Sequence, residues 1–294
     1  MIIDAHHHLW RPEQGYDWLD GPGLEAIRRP FTPADLTAEL AAAGVTGTVL
    51  VEGGRCHVDE AAQFLGHAAD TPAIAGVVAW IDVAAPGVAA TIRRYRRLRG
   101  GELLVGLRSQ VQGEDDPDYL DRPAVRRSLA EIGASGLAFD LVIRADQLPG
   151  AARAARALPH LRLVLDHLGK PRIDEGEEGL RRWREPFAAL AANPNVTCKL
   201  SGMVTEAGPG WSVEALRPFV AVAVQRFGPG RLMFGSDWPV CLLVADYRGV
   251  LAALRDALPA LSPRDHAEIF AGTAMRIYGL AGRLVPERPS GAPA

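Results

Sequence analysis

The chain has 294 residues, 48% of them hydrophobic and 23% charged, with a formal net charge of −3. That balance gives no basic surface for nucleic acid, and no apolar run reaches the roughly 20 residues needed to cross a bilayer. Cys56, Cys198 and Cys241 have no paired spacing, and acid and histidines stand where a secretion signal would be apolar, so the chain reads as a cytoplasmic enzyme with reduced thiols.

The chain opens MIIDAHHHLW. Its apolar flanks argue for a short buried strand over 2–5 running into a turn, and against an affinity tag. Alternate strand side chains share a side, so His6 and His8 point together and His7 points away. Such a pair can bring two imidazole nitrogens to one ion; the plainer reading is a polar cluster at an exposed end. Residues 10–31 (WRPEQGYDWLDGPGLEAIRRPF) are rich in Pro, Gly and aromatics. They leave the far end of the first strand and are expected to form a partial lid and pocket wall, the alternative being a plain surface connection. Thr32-Pro33-Ala34-Asp35 caps and starts a helix that Gly44 stops.

Further apolar runs follow at 47–52, 75–81, 103–108, 137–142, 161–166, 196–200 and 231–236. Each is almost continuously apolar, as in a parallel strand covered on both faces. Helical stretches separate them. Ser212 starts one that ends near Phe227-Gly228; Ser262-Pro263 starts another, with a break expected at Gly272. Eight strands alternating with helices predict a (β/α)8 TIM barrel forming one α/β domain over 1–294. An open doubly wound sheet is the runner-up, but no GxGxxG follows the first strand. Residues 287–294 read as a frayed tail.

In such a barrel, chemistry gathers at the C-terminal strand ends. Unusual polar residues concentrate there: His6 and His8; Glu52 with Arg55 beyond it; Trp80 and Asp82; Arg108 and Gln110; Asp140; Asp166, His167 and Lys170; Lys199 and Ser201; Ser236, Asp237 and Trp238. Each has a plainer reading. Asp166 and Asp237 can cap turns, His167 can be a satisfied core histidine, and Glu52 and Lys199 can pair inside the barrel. Convergence of strands 1, 6 and 8 makes His6, His8, His167 and Asp237 a candidate set for one divalent ion with open positions for water. No GxSxG elbow is present, and Cys198 and Cys241 read as packed thiols.

The segments IDAHHHLW, LDHLGKP, NVTCKLSGM and RLMFGSDWPV, with the closing IFAGTAMRIYGL, resemble the amidohydrolase superfamily, and within it the branch of sugar-lactone and dicarboxylate-lactone hydrolases. The likeness covers nearly the whole chain. It implies a distorted barrel of the amidohydrolase type and hydrolysis with water as nucleophile. His6 and His8 match the strand-1 pair, His167 a strand-6 histidine, and Asp237 the strand-8 aspartate that serves as general base. Arg108 and Asp140 stand where two-metal members carry a carboxylated lysine or glutamate and a histidine. The resemblance therefore implies one ion at most, zinc before manganese, and leaves metal-independent catalysis open.

On this reading Asp237 and His167 are the catalytic residues. Asp237 deprotonates water and returns the proton to the leaving oxygen, while an ion or the three imidazoles polarise the carbonyl. Arg108 is expected to hold a substrate oxygen, with Glu52, Arg55, Trp80, Lys170, Lys199 and Trp238 as further substrate contacts. The expected partner is a small-molecule lactone, a sugar lactone before a dicarboxylate one, with no nucleic acid or membrane; a homo-oligomer is compatible with the chain. Competing readings are a metal-dependent decarboxylase of the same superfamily, and a barrel that only binds a sugar acid.

Overall fold

Eight runs of aliphatic and β-branched residues become eight parallel strands. They are β1 (Ile3–His7), β2 (Gly47–Val51), β3 (Ile74–Trp80), β4 (Leu104–Ser109), β5 (Ala138–Leu141), β6 (Arg162–Leu165), β7 (Val196–Leu200) and β8 (Leu232–Phe234) in a computed structural model that describes residues 1–284. The tail expected at 287–294 lies outside the described residues. The strands pair in chain order. A parallel bridge between His7 and Trp238 joins the last strand to the first, with Asp237 N–H donating to His6 O (2.8 Å) and His8 N–H to Trp238 O (2.7 Å). The barrel therefore closes through the residues that follow β8, and closure itself brings Asp237 beside His6.

Helices fill the crossovers: α1 (Pro33–Ala43), α2 (Val58–Asp70), α3 (Val88–Arg96), α4 (Pro123–Ser135), α5 (Leu148–Ala157), α6 (Gly176–Ala191), α7 (Met203–Ala207), α8 (Val213–Phe227) and α9 (Tyr247–Ala257). The expected caps are present. Thr32 Oγ1 accepts from Asp35 N–H while Asp35 accepts from Thr32 N–H, and the Ser212 and Ser262 hydroxyls accept from Ala215 N–H and Asp265 N–H. Among the described residues no helix is long and apolar enough to cross a membrane.

Two expectations are corrected. His6 and His7 lie inside β1 rather than after it, because closure against 237–238 extends the strand. The chain also does not break at Gly272. Residues Glu268–Gly272 form a π-helical turn that runs into a helix over Thr273–Ile277. A Cβ on Gly272 would lie 2.8 Å from the Glu268 carboxylate, so glycine permits the wide turn instead of ending the helix. This segment seals the barrel floor: Ala271, Ala274, Tyr278 and Leu280 pack with Ile3, Val49, Val78, Val105 and Met233 of the strands.

The 10–31 segment is packed rather than loose. It folds into short 3-10 turns at Pro12–Gln14, Asp17–Asp20 and Glu25–Ile27, and a Trp10–Phe31 bridge ties its ends. Trp10, Tyr16, Leu19 and Ile27 are buried; at about 1.5–3 kcal/mol for each large apolar side chain, this burial fixes the segment.

Candidate active site

Asp4, buried within β1, organises the closing turn. Its carboxylate accepts from Ser236 N–H (2.8 Å), Ser236 Oγ (2.6 Å), Tyr247 Oη (2.8 Å) and His6 N–H (3.1 Å). Asp237 then sits in the left-handed region, at φ 58°, a conformation Asp and Asn tolerate better than most residues. After β6 the chain takes four consecutive left-handed residues, His167 to Lys170, with φ of 53°, 54°, 71° and 53°. Each non-glycine residue there costs roughly 1–2 kcal/mol. Trp183 Nε1–H donating to Leu168 O (2.8 Å) and Lys170 N–H donating to His167 O (2.8 Å) hold the turn. At Gly202 a Cβ would stand 2.7 Å from His167 Nδ1, which accounts for the glycine of the LSG sequence.

These devices bring four atoms together. His6 Nε2 lies 3.1 Å from His8 Nε2. Asp237 Oδ1 lies 3.4 Å from His8 Nε2, 3.7 Å from His6 Nε2 and 3.8 Å from His167 Nε2. Bonds of 2.0–2.1 Å to a tetrahedral zinc place ligands about 3.3 Å apart, so His6, His8 and Asp237 fit one divalent ion, while His167 groups with His6 and Asp166. Charge agrees: the buried carboxylates Glu52, Asp140, Asp166 and Asp237 face two permanent cations, Arg108 and Lys199. His8 Nδ1–H donates to Val51 O (2.9 Å), which leaves the Nε2 lone pair of the neutral ring toward the other three atoms. Burial holds His6 well below the usual imidazole range and His167 at about 4, and neutral imidazole is the form that ligates.

Beneath the histidines lies a buried ionic lattice. Arg108 Nε donates to Glu52 (2.5 Å) and Nη1 to Asp166 (2.9 Å). Lys199 Nζ donates to Asp140 Oδ2 (2.6 Å) and His6 Nδ1 (3.0 Å) and forms an ion pair with Asp166 Oδ1 at 2.9 Å. In that arrangement His6 carries its proton on Nε2. With the proton on Nδ1 it faces Asp166 Oδ1 at 3.3 Å and Nε2 becomes a ligand. From the barrel floor, Tyr278 Oη donates to both Asp140 oxygens (2.8 and 3.0 Å). Burial drives Asp140 up to about 6 against the opposing Lys199. At Asp166 and Asp237 burial is outweighed, by Lys199 and His6 in the first and by His167 and His8 in the second, and both carboxyls lie below their ordinary range.

A cavity of about 360 Å³ opens above this lattice, lined by His8, His167, Asp237, Arg108 and Lys170 among others. Glu52, Arg55, Trp80, Lys199 and Trp238 do not line it. Substrate contact is corrected for Glu52, Lys199 and Trp238, which are sealed from solvent. Trp238 instead packs on Phe31, ring centroids 5.2 Å apart. Glu52 pairs with Arg108 and not with Lys199, because β2 and β4 flank β3 while β7 lies beside Asp166 at the end of β6. Asp166 caps no turn; it ties Arg108 to Lys199.

The sequence reading passed over Trp18, Gln112, Asp4, Glu60, Glu206 and Tyr278. Trp18, from the 10–31 segment, lines the cavity and donates from Nε1 to Gly53 O (2.9 Å). The DWL within that segment is its only signal in sequence. Tyr278 lies in the closing IFAGTAMRIYGL segment, but its partner Asp140 is 138 residues away.

Glu60 on α2 is fully buried, its Oε1 accepting from Gly53 N–H (3.0 Å). Burial first, and Glu52 second, push its carboxyl up to about 8, with Gly53 N–H, Tyr16 and Arg108 opposing. A group whose folded value is raised binds protons more tightly folded than unfolded, so stability falls as pH rises from about 4.5 to about 8. Glu60→Gln removes this dependence. Its melting temperature is expected to exceed that of the parent at pH 8.5 and to match it near pH 5; equal gains at both values would refute the assignment.

A sequence-family model described as amidohydrolase matches residues 3–280. The chain is 36% identical to an L-fucono-1,5-lactonase of Burkholderia ambifaria, covering 98% of this chain and 97% of that one. It is 39% identical to an L-fucono-1,5-lactonase of Burkholderia multivorans, covering 95% and 96%. A crystal structure of an amidohydrolase from Burkholderia multivorans with bound zinc superposes with a TM-score of 0.88 at 36% identity, covering 95% of this chain and 99% of that one.

Proposed function

We propose, from the premise that this chain belongs to the amidohydrolase family, that it hydrolyses a sugar lactone to the open aldonic acid. The observation that carries this is one carboxylate, Asp237, facing an open cavity with His8 and His167 and backed by buried His6, in a chain alike end to end to two L-fucono-1,5-lactonases. The three cysteines are unpaired, in keeping with a cytoplasmic setting.

Asp237 takes a proton from water as the water oxygen attacks the lactone carbonyl carbon. Its depressed carboxyl is ionised at neutral pH, and general-base catalysis contributes roughly 10²–10⁴-fold. His167 Nε2–H donates to the developing oxyanion when Ser201 Oγ, 2.9 Å away, donates to Nδ1, and His6, carrying its proton on Nε2 under Lys199, donates behind it to His8 Nε2 (3.1 Å). The ring C–O bond then breaks, its electron pair stays on the ring oxygen, and Asp237 returns the proton there. His6, His8 and Asp237 would hold an ion, zinc first by ligand type and spacing, with His167 beside them; when bound it lowers the pKa of its water. Arg108 is committed to Glu52 and Asp166, so the cavity offers a dicarboxylate little beyond Lys170. A neutral polyhydroxylated lactone suits it better than a dicarboxylate lactone or an aromatic acid awaiting decarboxylation.

The test is a panel of aldonolactones, a dicarboxylate lactone and aromatic acids, with acid release followed against the uncatalysed rate and CO2 measured in parallel. Aldonolactones are expected to lead; CO2 release with every lactone inert would overturn the reading. Zinc at about 100 times its Kd is expected to raise the melting temperature by about 5 °C, with His8→Ala abolishing the shift. A shift that survives His8→Ala would place the ion elsewhere.

A further inference from the structure

A second cavity, about 670 Å³, adjoins the first. Gln112 and Lys170 line both, so the two spaces meet around these side chains. The larger one lies between α5 and α6. Its apolar lining includes Pro149, Pro186 and Trp183, and its polar lining includes Arg144, Arg182 and Glu206.

The charges of the second cavity are spent internally. Arg144 donates from Nε and Nη2 to the two oxygens of Asp146 (both 3.1 Å). Arg172 does the same to Asp174 (3.0 and 2.8 Å) and reaches Glu175 at 3.3 Å. Arg182 pairs with Glu175 and Glu178. Lys170 Nζ stands 3.9 Å from Glu206 Oε1, and burial raises the Glu206 carboxyl against that attraction. An anion entering this cavity would find its arginines already paired, with Lys170 the cation that stands off its partner. A purely apolar group would strand their remaining donors and acceptors, which is costly. Guanidinium donors and the Asp146 and Glu206 carboxylates beside the Pro149 and Pro186 rings match a sugar, which offers hydroxyls at its edges and C–H faces between them. Trp183 also holds the left-handed turn that carries His167 and Lys170, by its bond to Leu168 O, so an occupant there rests on the wall that positions the reacting centre.

We propose that this second cavity is a subsite for a neutral glycosyl substituent, and that the substrate class extends to aldonolactones carrying a sugar on the side facing Gln112 and Lys170. The proposal rests on the lactone-hydrolase reading for its chemistry, which is unchanged: the same ring C–O bond breaks, and the glycosidic bond stays intact.

The experiment compares gluconolactone and L-fuconolactone with cellobionolactone and a 6-O-linked aldobionolactone. At least one extended lactone is expected to be opened with kcat/KM about tenfold above its unextended parent, a modest gain for one added ring. Ala145 lines the second cavity and not the first, so Ala145→Trp adds bulk to the second. It is expected to remove that advantage while leaving the simple lactones within about twofold of the parent enzyme. If Ala145→Trp does not fold, Pro149→Trp, at an exposed lining position, makes the same test. Extended lactones that are neither hydrolysed nor inhibitory, while simple lactones are opened, would overturn the subsite and leave the lactonase reading standing. If no lactone is opened, that reading fails, and the subsite is decided by calorimetry with cellobionate. Binding lost in Ala145→Trp supports it, and no binding to the parent protein overturns it.

Discussion

Asp237→Asn is expected to lower kcat by about three orders of magnitude, within the roughly 10²–10⁴-fold range of general-base catalysis, while the protein stays folded. The residue sits at φ 58°, where Asn is tolerated nearly as well as Asp and alanine is strained, so the amide is the cleaner probe. Its N–H still donates to His6 O, and its carbonyl still accepts from Cys241 N–H (2.9 Å). What is lost is the carboxylate that faces three imidazole Nε2 atoms within 3.8 Å. KM is expected to move little, because the base acts on water. Single-turnover kinetics with a melting curve on the same sample check this, and near-parent turnover would remove Asp237 from the reaction.

Lys199→Met is expected to cost stability before it costs activity. The ammonium is fully buried and joins Asp140, Asp166 and His6. Methionine fills most of the stem and leaves two carboxylates without their shared cation. Breaking a buried pair in this way costs about 3–5 kcal/mol, or about 5–8 °C for a chain of this size. The pH dependence fixes the cause. In the parent, Asp166 is held below its unfolded value, so its contribution is present above about pH 4 and is lost as pH falls. Without Lys199 the same carboxyls are driven up and are relieved by protonation. The deficit is therefore expected to be small near pH 4 and to grow toward pH 7. A deficit independent of pH would mean that packing, not charge, is what the lysine supplies.

Much of the frame was legible in sequence because its signals are local. Continuous apolar runs announce strands covered on both faces, and Thr32-Pro33, Ser212 and Ser262-Pro263 announce helix starts through caps made within four residues. Period-two geometry separated His6 and His8 from His7, whose Nε2 turns instead to Thr48 Oγ1 at 3.0 Å. Gly272 was misread because a glycine that stops one helix can equally make room inside another, and only the Glu268 carboxylate beside it distinguishes the two.

The barrel, the strand ends where polar residues gather, and the four groups that could meet are all written in short stretches of chain, through propensity or local spacing. Tertiary structure decided which charges pair, which cations remain available to a ligand, and where the ligand space lies. Glu52 finds Arg108 rather than Lys199, and Asp140 finds Tyr278, through neighbours around a closed sheet. Trp18 becomes a cavity wall only once its segment has packed over the rim. The reason is physical: a buried charge takes whichever opposite charge the fold brings within about 3 Å, and that proximity is a property of closure, not of order along the chain.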